Sequence, residues 1–184
     1  MTTIFFGGSR SYSARSLVSN VVAAVLRSGA SISTGCAIGA DALVIGSVVG
    51  SGQAGRLSIF ASFGPGGLGA WSGSAVALVA AAARSGAAVS WLSGGPVSVP
   101  LRARLVRRSA AALVGCSAAV FFLSGAGSPG SLRVAALAVA ADLPVFAFCP
   151  VRPLALVGCA GEWQFVQFAS KPCWSWVNAQ SKLV

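Results

Sequence analysis

Ser33-Thr34-Gly35-Cys36-Ala37-Ile38-Gly39-Ala40-Asp41 joins a short β-branched run to an apolar stretch with helical spacing. A glycine turn at such a junction leaves the first N–H groups of the helix unpaired and pointing outward, where an anion accepts them. The same order of apolar run, glycine turn and apolar helix recurs at residues 5–15, 60–73, 91–101 and 121–133. Repetition of one strand, turn, helix unit at about thirty residues predicts an α/β fold: a Rossmann-like wound, mostly parallel sheet with helices on both faces, built as a single domain.

Composition agrees with buried elements. The chain has 184 residues, of which 55% are hydrophobic and 9% charged. Strands of a parallel sheet covered on both faces read as near-continuous apolar runs. The charge-free windows between Arg56 and Arg84 and between Arg108 and Arg133 are long enough to cross a bilayer by count. Gly64-Pro65-Gly66-Gly67 interrupts the first and Pro129, within 125–131, interrupts the second, so no membrane span is expected. No basic segment precedes the first apolar residues, and Gly7-Gly8-Ser9-Arg10 arrives too early for a signal sequence, so the expected location is cytoplasmic.

Thirteen Lys and Arg stand against three acids, Asp41, Asp142 and Glu162, for a net charge of +10. Eleven of the thirteen are Arg, whose planar fork matches phosphate oxygens in pairs. This balance suits a polyanionic partner, and a skewed host composition also produces it. The five cysteines form no C-x-x-C and there is no His, so no metal site and no cofactor is expected. Cys116, Cys149 and Cys159 lie in apolar surroundings and read as small core residues of a reducing compartment.

In order, strands are expected at 3–6, 31–33, 56–61, 88–92, 118–123 and 143–149, with the fifth, the most apolar, placed centrally. Between them Leu17, Val21, Val22, Val25 and Leu26 mark the first helix. The second runs from about Gly39 to Val49, with Asp41 in its first turn complementing the helix dipole. The alanine-rich helix 75–83 is expected to pack tightly between neighbours. In the basic helix that follows, Leu101, Leu105, Ala112 and Leu113 face the core while Arg102, Arg104, Arg107 and Arg108 spread over other faces, either a solvated surface or a nucleic-acid contact. After Pro150 the composition changes, with Trp163, Trp174, Trp176 and two lysines. This tail covers a sheet edge, makes an oligomer contact or stacks on bases, edge cover being the first choice. An exposed apolar surface is hard to avoid at this composition, so a homo-oligomer is expected.

Gly8-Ser9-Arg10 after the first strand, Gly35 through Gly39-Ala40-Asp41-Ala42 after the second, Ser128-Pro129-Gly130-Ser131 after the fifth, and the Arg-bearing helix leading to the strand ending at Phe122 together resemble the SLOG superfamily. That group includes DprA-like DNA-processing proteins, LOG-type nucleotide hydrolases and the YspA-like sensor branch, to which the second motif is most similar. The resemblance spans residues 1–150, with 151–184 outside it as the tail. It implies that Gly8, Ser9 and Arg10 line a nucleotide pocket, that Gly35, Gly39 and Asp41 form the adjoining wall, and that Gly130 and Ser131 hold a phosphate. The hydrolase branch carries a catalytic glutamate after its glycine loop. Here the corresponding stretch is Ser-Pro-Gly-Ser-Leu-Arg-Val-Ala, which offers Arg133 instead, so no catalytic residue is assigned.

Three functions follow as expectations. The first is non-catalytic binding of a nucleotide or nucleotide-derived phosphate ligand, as a sensor or carrier. The second is DprA-like binding of single-stranded nucleic acid through Arg102, Arg104, Arg107, Arg108 and the tail tryptophans. The third is hydrolysis of a nucleotide N-glycosidic bond, with Asp41 as the single available acid. The first requires that loops about a hundred residues apart converge on one rim of the sheet.

Overall fold

In the N-terminal strand, Phe5 and Phe6 point to opposite faces and both are buried, so the sheet is covered on each side. The computed structural model describes residues 2–179. Among the described residues five α-helices and eight strands follow one another as β1 (Thr3–Gly8), α1 (Arg15–Arg27), β2 (Ser31–Thr34), α2 (Ala40–Gly50), β3 (Leu57–Phe60), α3 (Val76–Arg84), β4 (Ala88–Ser90), α4 (Leu101–Leu113), β5 (Ala118–Phe122), α5 (Pro129–Ala140) and β6 (Val145–Phe148), and then β7 (Gly161–Phe168) and β8 (Lys171–Asn178). The molecule is a single α/β domain with a mostly parallel sheet, as the repeating units predict.

The strands lie in the order β4-β3-β2-β1-β5-β6-β8-β7. The chain winds outward from β1 to β4, then returns across the sheet to place β5 on the other side of β1. Both neighbours of β1 run parallel to it, Ile4 opposite Ile32 on one side and Ala118 on the other. The winding direction therefore reverses between β1 and β5, the position where open α/β sheets leave a crevice at the strand C-termini.

Two cores flank the sheet. Phe6, Val21, Val44, Ile45 and Val79 belong to one, which packs α1, α2 and α3; Phe5, Ala112, Phe121 and Ala135 belong to the other, beneath α4 and α5. The middle helix of the first layer is α2, which packs against both α1 and α3. This corrects the expectation for the alanine-rich helix. With Val79 and Ala82 its fully buried residues, α3 buries one face only, because β4 beneath it is the sheet edge.

The segment after Pro150 is largely a hairpin that continues the sheet. Strand β8 pairs antiparallel with β6, Phe146 opposite Ser175, and with β7 along its full length. Edge cover is thus the outcome for the tail, although β7 itself becomes the new edge; residues 180–184 lie outside the described part. Phe168 joins the ring stack of Phe122 and Phe148 on one face, while Trp163 and Trp176 meet edge to face at 5.3 Å on the other. The hairpin turns on Ala169 and Ser170, both with positive φ, the geometry of a two-residue turn matched to strand twist. Among the described residues no helix is long and apolar enough to cross a membrane.

All five cysteines are free. Cys36 and Cys173 are buried with Cys116, while Cys149 and Cys159 are half-buried, which shifts the expected set of core thiols by two.

Candidate functional site

The C-terminal end of β1 is closed down by glycine. A Cβ on Gly8 would meet the backbone carbonyl of Phe122, so only glycine lets β1 end this tightly against β5. Ser9 then knots three turns together. Its N–H donates to the Phe122 carbonyl at 2.8 Å, its carbonyl accepts from Ala40 N–H at 3.1 Å, and its Oγ accepts from Ser124 N–H at 3.1 Å. Engaged in this way and buried, Ser9 holds the rim in place and does not line the cleft.

Gly39 precedes α2 at a φ of 78°, with the carbonyls of Ser9 and Arg10 where a side chain would sit. Asp41 follows in the first turn and is buried, 6% exposed. Its Oδ2 accepts from Ala37 N–H at 3.1 Å and from the Arg108 guanidinium at 3.3 Å. Burial pushes the Asp41 carboxyl above its ordinary value, while Arg108 and the Ala37 N–H pull the other way. Gly35 makes room for this pair: a Cβ there would collide with both Arg108 and Asp41. Gly35 and Gly39 are therefore structural supports of the rim and do not line the cleft.

The basic helix α4 is oriented differently from the sequence expectation. Arg104 and Arg108, one helical turn apart, point inward and are buried. Arg104 donates through Nη1 to the Ser62 carbonyl at 2.7 Å and through Nε to the Val99 carbonyl at 3.1 Å, fastening the segment after β3 to the start of α4. Neither arginine is on a solvated face available to a nucleic acid; Arg102 and Arg107 are the exposed pair. Leu101 and Leu105, expected in the core, are only half-buried and line the cleft.

On the far side, Ser128 caps α5, its Oγ accepting from Ser131 N–H at 3.4 Å, with Pro129 in the first helical position. Gly130, exposed beside it, lies in the first turn of the helix, where a backbone N–H has no intrahelical partner, and lines the cleft. The glycine-rich segment after β3 delivers Trp71, and the Arg10 guanidinium sits over its ring at 4.9 Å.

These parts enclose a cleft of about 710 Å³ at the reversal point of the sheet, within the size range of small-ligand sites. Of the residues expected to bind a ligand, Gly8, Arg10, Asp41, Gly130 and Ser131 line it. Arg102 and Arg108 line it as well, whereas Arg104 and Arg107 do not. Trp71 and Arg133 complete the wall. Trp71 carried a sequence signal, as the one aromatic between Gly64 and Arg84, but nothing local says which way its loop folds. Arg10, Arg102 and Arg133 are exposed and have no ion-pair partner among the described residues. Asp41, the one carboxylate lining the cleft, is spent on Arg108. The Arg108 Nε has no hydrogen-bond partner although the residue is only 9% exposed. Such an arrangement gives the cleft a positive lining suited to an anion, and its lining includes no second carboxylate or imidazole of the kind general acid–base chemistry uses.

No protein-family model, curated protein or solved structure matches the chain.

Proposed function

We propose that this protein binds a small phosphate-bearing ligand in the β1/β5 cleft and acts as a sensor or carrier, nucleotides being the class that the SLOG resemblance implies. The observation that carries this reading is the convergence of Arg10, Arg102, Arg133 and the first turn of α5 at Gly130 on one cleft whose carboxylate is already paired. Charge-assisted hydrogen bonds from a guanidinium contribute about 1.5–3 kcal/mol each, so two such contacts support micromolar binding when the rest of the ligand also packs. The alternative of single-stranded nucleic acid loses half of its helix contacts, because Arg104 and Arg108 are turned inward. An N-glycosidic hydrolase would have to act through Asp41 alone, already held by two donors.

Calorimetric titration with inorganic phosphate, sugar phosphates and nucleoside mono- and diphosphates tests the reading. Heat of binding is expected for at least one phosphate ester, weakened about tenfold or more in Arg10→Ala and in Arg133→Ala and falling as salt rises. Absence of heat with every phosphate ester at low salt would refute it.

A further inference from the structure

The two edges of the sheet are built differently. At one, β4 has three residues, too short to offer much of a ladder. At the other, β7 has eight, paired with β8 in unbroken register from Gly161 opposite Asn178 to Phe168 opposite Lys171, so no bulge twists it away. It contains no proline and no lysine, the residues that commonly block an edge. Among the described residues no strand pairs with its outer side.

Two observations fix which backbone groups of β7 are open. Pro172 has no N–H to give Gln167 opposite it, and Ala179 N–H donates to the Ala160 carbonyl at 3.0 Å just before the strand. Bonded and non-bonded pairs alternate, so Glu162, Gln164 and Val166 bond to β8, while Trp163, Phe165 and Gln167 turn their N–H and C=O groups outward. The Phe165 side chain is 66% exposed and meets Trp174 edge to face at 5.3 Å. Apolar exposure gathers around it. Val151, Leu154, Val157 and Phe165, on β7 and the loop before it, are four of the eight large hydrophobic side chains that stand exposed among the described residues. The Trp163 indole N–H holds that loop against the hairpin, donating to the Leu154 carbonyl at 2.9 Å.

We infer that β7 is the interface between two copies of this chain, paired antiparallel about a two-fold axis at Phe165, so that one sheet runs through both. An antiparallel edge is complementary to itself. With Phe165 opposite its counterpart, Trp163 of each copy faces Gln167 of the other, and the outward backbone groups of all three residues find partners. The two phenylalanines extend the contact of Phe165 with Trp174 into an unbroken aromatic row across the axis. Charge favours the same occupant. A chain of net charge +10 repels its copies over most of its surface, yet no Lys or Arg lies between Arg152 and Lys171. Glu162, the one charged residue of β7, is 3.6 Å from Arg152, so the two copies meet along a neutral strand that offers a charged peptide nothing to recognise. In the sheet β7 is three places from β5, and the interface is independent of the anion cleft.

Sedimentation of the intact protein from about 2 to about 100 µM is expected to show a dimer that dissociates on dilution. Amide exchange at Trp163, Phe165 and Gln167 should be about tenfold slower or more in the dimer, whereas Gln164 and Val166, bonded to β8 within each copy, change little. Phe165→Lys sets two like charges opposite each other at the axis, and Gln167→Lys adds a charge at an exposed edge position. Both are expected to be monomers whose melting temperature matches that of dilute wild type. Val114→Lys, at an exposed apolar position just after α4, should leave the dimer intact. A monomer even at the highest concentration overturns the second copy as the occupant of this edge. A dimer that survives both β7 variants, or that Val114→Lys abolishes, has its interface elsewhere and overturns the inference as well.

Discussion

Gly35 leaves the volume that the Asp41–Arg108 pair occupies. Replacing it with alanine drives a methyl group into a buried ion pair held at 3.3 Å, and such pairs are costly to break because each charge is left uncompensated. Gly35→Ala is therefore expected to destabilise the fold by about 3 kcal/mol or more, read as a lowered urea midpoint. A second residue-scale expectation concerns Cys173, whose thiol burial pushes up to about 11 from 9.0. The folded state keeps its proton where the unfolded chain loses it, so the stabilisation is complete below pH 9 and is lost as pH rises toward 11. Wild type should lose stability across that interval more steeply than Cys173→Ala in denaturant titrations at each pH.

At the scale of elements, α4 and the β7–β8 hairpin separate what pattern shows from what it hides. The spacing of Leu101, Leu105, Ala112 and Leu113 predicts a helix here, and one spans Leu101–Leu113. Its rotation is another matter. An inward arginine is expensive unless carbonyls or a carboxylate wait for it, and here Ser62 and Asp41 supply them from remote segments and Val99 from just before the helix. Arg104→Ala is expected to lower the melting temperature by several degrees without touching ligand affinity, whereas Arg102→Ala should do the reverse; equal effects on both readouts would contradict the assigned rotation. The hairpin escaped sequence reading because Ala169-Ser170 lacks the Asn-Gly or Asp-Gly signature of its turn. Replacing the two residues with Asn-Gly is expected to stabilise the protein by about 0.5–1 kcal/mol, since both positions already hold positive φ. A lower melting temperature would rule that turn out.

For the whole molecule, the decisive feature is that the winding reverses between β1 and β5. This reversal brings residue 10 and residue 130 to the same cleft although 120 positions separate them. Ligand binding should therefore slow amide exchange at 7–11 and at 128–133 together, with little change in the outer strand β4. Protection confined to one of the two loops would show that they do not share a ligand.

Strand and helix positions through residue 148, and the glycine turns between them, were legible because they are local: periodicity, turn chemistry and apolar runs act over a few residues. The sequence by itself determined that a wound α/β sheet forms, and that its rim is built of glycine, serine and arginine. Only the tertiary structure decided which arginines remain free. Arg104 and Arg108 are drawn inward by partners more than thirty residues away, Ser9, Gly35 and Gly39 become supports of the rim, and Trp71 and Arg133 join its wall. Burial and pairing depend on what the fold brings alongside a side chain, and no pattern along the chain contains that.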